Sequence, residues 1–210
     1  ATLTHSAAVD LAASTVNGAL SVSSGAAISD SGTLTVSGTV TMNANAGASN
    51  ITLDDNGDAT YTNSYGTLEL SGATVRVYEN AATDFGLSTV DVLEAVNVTG
   101  GITDSAVVTI NTSGTFTTQT NDDNITLANL AGAGWLSVNT VGTAGNATLI
   151  HSGAVDLSGS TVNGSLSVDA SGDITDSGSL SISNTTTIIA ATNNVTLDNS
   201  TNDFSIFEIV

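Results

Sequence analysis

The stretch Ile28-Ser29-Asp30-Ser31-Gly32-Thr33-Leu34-Thr35-Val36 occurs three times in a chain of 210 residues. It returns, with small changes, as Ile102-Thr103-Asp104-Ser105-Ala106-Val107-Val108-Thr109-Ile110 and as Ile174-Thr175-Asp176-Ser177-Gly178-Ser179-Leu180-Ser181-Ile182, at almost equal intervals along the chain. Each copy places an Asp-Ser pair between two short runs in which apolar and polar residues alternate. Alternation with period two is the pattern of a strand with one buried face.

The register extends outward from this motif. Ser14-Thr15-Val16 matches Ser88-Thr89-Val90 and Ser160-Thr161-Val162, and Asn50-Ile51-Thr52-Leu53 matches Asn124-Ile125-Thr126-Leu127 and Asn194-Val195-Thr196-Leu197. Asp10, Asp84 and Asp156 share one column; His5, Glu79 and His151 share another. Residues 1–22 and 147–168 differ at only five of 22 positions, whereas the middle copy has drifted further. The tail from Asn202 to Val210 resembles the run from Asn63 to Leu70.

No segment carries an apolar stripe at helical spacing, and Gly, Asn, Asp and Ser separate the short runs. The chain therefore reads as all-β. Hairpin signals are too weak for a meander, so the expected fold is a right-handed parallel β-helix, a β-solenoid. About three coils per 72–74-residue repeat make roughly nine coils in one domain over 1–210, with repeats at approximately 1–74, 75–146 and 147–210 and no obvious terminal caps. Leu20, Val22, Leu34, Val36, Ile51, Leu53, Leu166, Val168, Leu180, Ile182, Val195 and Leu197 are expected to point inward. Asp30, Asp104 and Asp176 are expected to accept hydrogen bonds from N–H groups two residues on, with the following Gly easing the corner.

Composition excludes several functions. Arg76 is the only Lys or Arg against twenty acidic residues, giving a net charge of -19. Nucleic acids and anionic membranes are bound by cations that neutralise phosphates, so neither is an expected partner. No apolar run is long enough for membrane insertion. Cysteine and proline are absent, which removes disulfides and thiolate metal sites.

The run from Ser160 to Ile182 resembles the Gly-, Ser- and Thr-rich repeats of filamentous-haemagglutinin-like exoproteins and other very large bacterial surface adhesins. The resemblance covers nearly the whole chain. It implies a secreted, elongated, surface-associated stalk, with host or neighbouring cell-surface glycans or proteins as partners. End-to-end stacking with itself or with adjacent repeats is expected separately, because a β-helix ends in open strand edges that template another coil. The absence of proline removes the Asn-Pro motifs that usually open such exoproteins, so an interior portion or another secretion route is implied.

An alternative is a carbohydrate-active β-helix enzyme, a polysaccharide hydrolase or lyase. A lyase of that architecture generally needs a Lys or Arg base and a basic or calcium-bridged groove for an acidic polymer, which Arg76 alone does not supply. A hydrolase needs two carboxylates about 5–9.5 Å apart across the scissile bond, but Asp54-Asp55 and Asp122-Asp123 are sequence neighbours beside turn residues and point to opposite faces. No catalytic residue and no cofactor-binding residue is assigned. His5 and His151, two repeats apart, should be roughly 29 Å from one another and share no ligand. Thr-x-Thr triplets are too irregular for an ice-binding array. Calcium is the one cofactor the residues allow, with Asp54, Asp55 and Asp58 as the densest set of oxygen ligands. Asn50, Asn124 and Asn194 begin glycosylation triplets that are equally explained as corner residues.

Overall fold

A computed structural model describes residues 1–54 and 63–210. Strands occupy most of the described residues; among these every strand pairing is parallel, and beyond the first coil each strand lies on one that precedes it by about one coil. The molecule is a β-solenoid of about 10 turns. Its first coil comprises the strands Thr2–His5, Val9–Leu11 and Ser14–Val16, one on each of three faces, and the second repeats them as Leu20–Ser24, Ile28–Asp30 and Leu34–Val36.

The period-two pattern has its expected consequence. Leu20, Val22, Leu34, Val36, Ile51, Leu53, Leu166, Val168, Leu180 and Ile182 are all buried in one continuous core. Val195 and Leu197 face the same core but are only partly buried, because the last coil has nothing above it.

Coil length is not constant. Thr2 lies beneath Ser21 and Ile125 beneath Ala147, but Val40 lies beneath Leu68, a longer step along the chain, and Leu68 beneath Phe85, a shorter one. The repeat is also not a whole number of coils, so successive copies of a motif fall on different faces. Climbing from Ile28, one face carries Ile51, Val75, Leu93, Gly114, Leu136, Leu157 and Asp176. The first and third motifs therefore share a face seven coils apart. Ile102–Asp104 stands above Thr83–Phe85, Leu68, Val40 and Leu20, on another face. One sequence repeat thus spans three coils and a fraction, and the fraction differs between the two intervals.

The Asp-Ser motif works between coils, which corrects the expected local turn. Asp30 Oδ1 accepts the N–H of Asp54 at 3.0 Å. Asp104 accepts those of Ala128 and Asn129 at 2.6 and 2.8 Å, and Asp176 those of Asp198 and Asn199 at 3.0 and 3.3 Å. In the other direction, Ser31 donates to Asp10 at 2.8 Å and Ser105 to Asp84 at 2.8 Å, each one coil below. A carboxylate on backbone N–H groups is a charge-assisted bond, stronger than the neutral bonds of the ladder. The motif glycine also has a different reason from the one expected. Gly32 and Gly178 do not have positive φ; a Cβ on them would lie 2.7 Å from Ala13 N and 2.2 Å from Gly159 N, inside the coil below. Close approach of two backbones, not the bend, requires glycine there.

Candidate functional site

The chemically richest region lies on the third to fifth coils, around the sole Arg. Val75, Arg76, Val77, Tyr78 and Glu79 alternate along the strand Thr67–Glu79, so Val75, Val77 and Glu79 point inward while Arg76 and Tyr78 point out. Arg76 bridges three coils. Its Nη1 lies 3.6 Å from Asp54 Oδ2 below and its Nε donates to Glu94 Oε2 above at 2.9 Å. The guanidinium stands 5.6 Å from the Tyr78 ring centre, and the Tyr78 hydroxyl donates to Glu94 Oε1 at 3.0 Å. The Glu94 hydrogen bond holds the Arg76 pKa above its ordinary value. A cation so placed is neutralised, so it offers no free charge to an anionic polymer.

Asp54, the first calcium candidate, is only 4% exposed and already faces Arg76. Asp55 and Asp58 lie outside the described residues. Among the described residues no group of three or more His, Asp or Glu side chains is placed to hold a metal ion. Behind Asp54, the Asn63 amide donates to Asp30 Oδ2 at 2.6 Å and its Oδ1 accepts the Leu34 N–H at 2.8 Å. Asn202 repeats this arrangement at the far end, donating to Asp176 at 2.6 Å and accepting from Leu180 at 2.9 Å. The similarity of the two tails in sequence is thus a similarity of hydrogen bonding.

Glu79 is the residue that sequence reading grouped with His5 and His151 and that the structure separates from them. It is 0% exposed. Its Oε1 accepts the Tyr65 N–H at 2.6 Å. Burial pushes its pKa up to about 8, opposed by the Tyr65 N–H and the Thr83 hydroxyl and helped by the nearby Asp84 charge. At neutral pH it is chiefly a protonated acid in the core. The signal for this was present: Glu79 has the parity of Val75 and Val77. His151 is also buried, its Nδ1 accepting the Gly153 N–H at 3.0 Å, and burial lowers its pKa. His5 makes the same contact with the Ala7 N–H at 3.0 Å but is exposed. Seven coils at roughly 4.8 Å per coil put the two imidazoles about 34 Å apart, further than the expected 29 Å.

The remaining acidic candidates are engaged in corners. Asp122, at φ 66°, accepts the N–H groups of Thr143 and Ala144, both at 2.8 Å, and these bonds lower its pKa. Asp123 accepts the Gly100 N–H at 2.8 Å. Asn50 and Asn124 accept N–H groups of Thr74 and Asn146 from the coils above at 3.3 and 2.8 Å, and Asn194 donates to Asp173 below. A surface depression of about 330 Å³ contains Asp156 and Asp173, but Asp173 is tied by that bond.

No curated protein and no solved structure matches the chain. A family model does, over residues 1–71 and 144–206, that is, the first and third copies together and well over half of the sequence. The chain therefore belongs to the family described as repeats of unknown function, DUF5649.

Proposed function

We propose that the chain is a structural and adhesive stalk segment of an extracellular bacterial surface protein, without catalysis, which assembles by end-to-end stacking of coils. The unbroken parallel stack carries this reading: each coil pairs strand by strand with the next and buries one continuous apolar column, so a further repeat of the same period can be added by the same contacts. The resemblance to filamentous-haemagglutinin-like repeats supports a place at the cell surface, where glycans or proteins of a neighbouring cell are the natural partners of the exposed faces.

A net charge of -19 sets how such stalks associate. Sides repel at low ionic strength, and bundling requires salt or divalent cations such as calcium. Axial contact, driven by backbone pairing and apolar burial, does not.

Electron microscopy of the purified chain, joined to turnover assays on neutral and acidic polysaccharides, tests the reading. Rods that lengthen by axial contact, with no turnover, are expected. Dispersed monomers without axial contacts, or hydrolysis or elimination of a polysaccharide, would overturn it in favour of the β-helix enzyme.

A further inference from the structure

Asp10, Asp84 and Asp156 occupy one column of the repeat, and their carboxylates do not fare alike. Asp10 accepts the hydroxyls of Ser29 and Ser31 at 3.4 and 2.8 Å. Asp84 accepts those of Thr103 and Ser105 from the coil above at 3.4 and 2.8 Å, and that of Thr67 from the coil below at 2.9 Å. Asp156 has Thr175 above it and Ser177 two residues further on, as the other two columns do, yet its Oδ1 is shut from water and has no hydrogen-bond partner. Thr175 donates to Val155 O instead, at 3.4 Å. Among the described residues only Glu79 has another carboxylate oxygen in that state, and Glu79 lies in the core. Asp156 lies on the surface.

The residue beneath differs too. Where Asp84 stands over Thr67, Asp156 stands over Trp135. Both side chains point outward, since the next residues along, Leu136 and Leu157, are buried, while Trp135 is 38% exposed and Asp156 half-buried. Paired residues of adjacent strands are about 4.8 Å apart, so the indole lies beside the carboxylate. The exchange of a Thr hydroxyl for an indole removes a donor and puts an aromatic face in its place. The carboxylate also lines the depression of about 330 Å³, whose walls Gly132, Ala133 and Ala154 are small and leave it approachable from solvent.

The same protein shows what fills such a pair. The Arg76 guanidinium donates to Glu94 at 2.9 Å and stands 5.6 Å from the Tyr78 ring centre. A carboxylate and an aromatic ring on adjacent coils there hold one guanidinium between them. No residue of this chain supplies the third member at Trp135 and Asp156, because Arg76 is the only Lys or Arg and is already paired. A second copy brings only its own Arg76, engaged in the same way.

We propose that Trp135 and Asp156 form a binding site for a guanidinium group, supplied by an arginine of a basic partner protein. A planar guanidinium stacks on an indole, donates two N–H groups to a carboxylate at once, and is more weakly hydrated than an ammonium. A carboxylate with one oxygen cut off from water and from donors gains more from a full positive charge than from a neutral hydroxyl, which sets a guanidinium above a sugar at this place. The net charge of -19 draws a basic segment toward the chain before contact is made. The site goes beyond the stalk reading and does not depend on how coils stack.

Trp135 is the only Trp, so its emission reports this site alone. A capped tetra-arginine peptide titrated into the full chain should shift that emission saturably and shield the indole from acrylamide. Asp156→Asn should weaken binding by roughly tenfold or more, as expected for loss of a close charge pair. Asp169→Asn removes the same charge from a different face and should change the affinity less than about twofold. Because Asp156 Oδ1 holds no hydrogen bond in the fold, the Asn variant should keep the parent's circular dichroism. Trp135→Ala, followed by calorimetry because it removes the reporter, should weaken the peptide as well. Equal loss from Asp156→Asn and Asp169→Asn, or a response that never saturates, overturns the site in favour of general attraction to an acidic surface. Tetra-lysine bound as tightly as tetra-arginine overturns the guanidinium assignment. A shift with methyl glucoside or methyl galactoside and none with tetra-arginine overturns it in favour of a sugar, and the same shift with calcium chloride alone overturns it in favour of a metal ion.

Discussion

The outer copies and the middle copy solve the same problem in two ways. In residues 1–53 and 147–182 most coils are broken into three short strands, with inter-coil carboxylate bonds at the corners. Between them, the strands Thr67–Glu79, Ser88–Asn97 and Val108–Thr118 are 13, 10 and 11 residues long and run through corners without a break. The middle also holds the only buried phenylalanines among the described residues, Phe85 and Phe116, edge to face with centroids 6.3 Å apart. The family match stops at residue 71 and resumes at 144, so it leaves out this stretch. The stacking of parallel coils survives a change of strand length, of core residue and of corner chemistry. What it requires is continuity of the inward column from coil to coil.

The largest separation between the two regions should come from their cores. Phe116→Ala in the middle is expected to cost about 3–5 kcal/mol, against about 0.5–1.5 kcal/mol for Ile182→Val in the third copy. Hydrogen exchange read region by region checks this, because a solenoid loses stability locally. Equal, global loss from both variants would break the comparison.

Glu79 should give the middle region its own pH response. Its pKa is about 8 in the fold and near 4.5 without burial, so the folded state holds a proton that the unfolded state has released between these values. Stability contributed below about pH 4.5 is therefore lost as pH rises toward 8, by on the order of a few kcal/mol. Glu79→Gln, which retains an oxygen for the Tyr65 N–H, should flatten this slope and stabilise the middle coils at pH 8, measured by urea denaturation across the pH range. His151 acts in the opposite sense. With a lowered pKa, the stability it contributes is present above its ordinary value of 6.5 and lost as pH falls.

The inter-coil carboxylate should be what the regions share. Asp30→Ala leaves the buried Asp54 N–H and Asn63 amide without their acceptor and should cost about 2–4 kcal/mol; Asp104→Ala frees the N–H groups of Ala128 and Asn129, which are exposed residues that water can reach, and should cost about 1–2 kcal/mol. A cost confined to one of them would show that the motif has two roles. The smallest effect belongs to Arg76→Met. Its pairs with Asp54 and Glu94 are half open to water, so at most about 1 kcal/mol is expected at low salt and less at high salt.

Most of this architecture was legible in the sequence because a parallel solenoid writes its inward faces as alternation. Ten of the twelve core positions expected from that alternation are buried, and the other two, Val195 and Leu197, are half-covered because they lie on an end coil. The candidate site was legible only in part. Asp54 was picked for its oxygen-rich neighbours, which gave no hint that Arg76, one coil further along the chain, would stand beside it. Glu79 was placed with two histidines by spacing along the chain, yet its parity with Val75 and Val77 placed it in the core.

Sequence by itself determined the class of fold, the inward residues and the recurrence of the Asp-Ser pair. Those depend on side-chain period and residue type, which are local quantities. Tertiary structure decided where each copy falls around the axis, which coil each aspartate clamps and which of two nearly identical segments is buried. These depend on coil length, because the interval from the first motif to the second is not a whole number of coils, so Ile102–Asp104 falls on a different face from Ile28–Asp30 while Ile174–Asp176 returns to it. A carboxylate that bonds to the coil above finds its partner a full coil away along the chain, a separation fixed only when that coil has closed. His5 and His151 make the same local hydrogen bond and differ only in what lies beneath them.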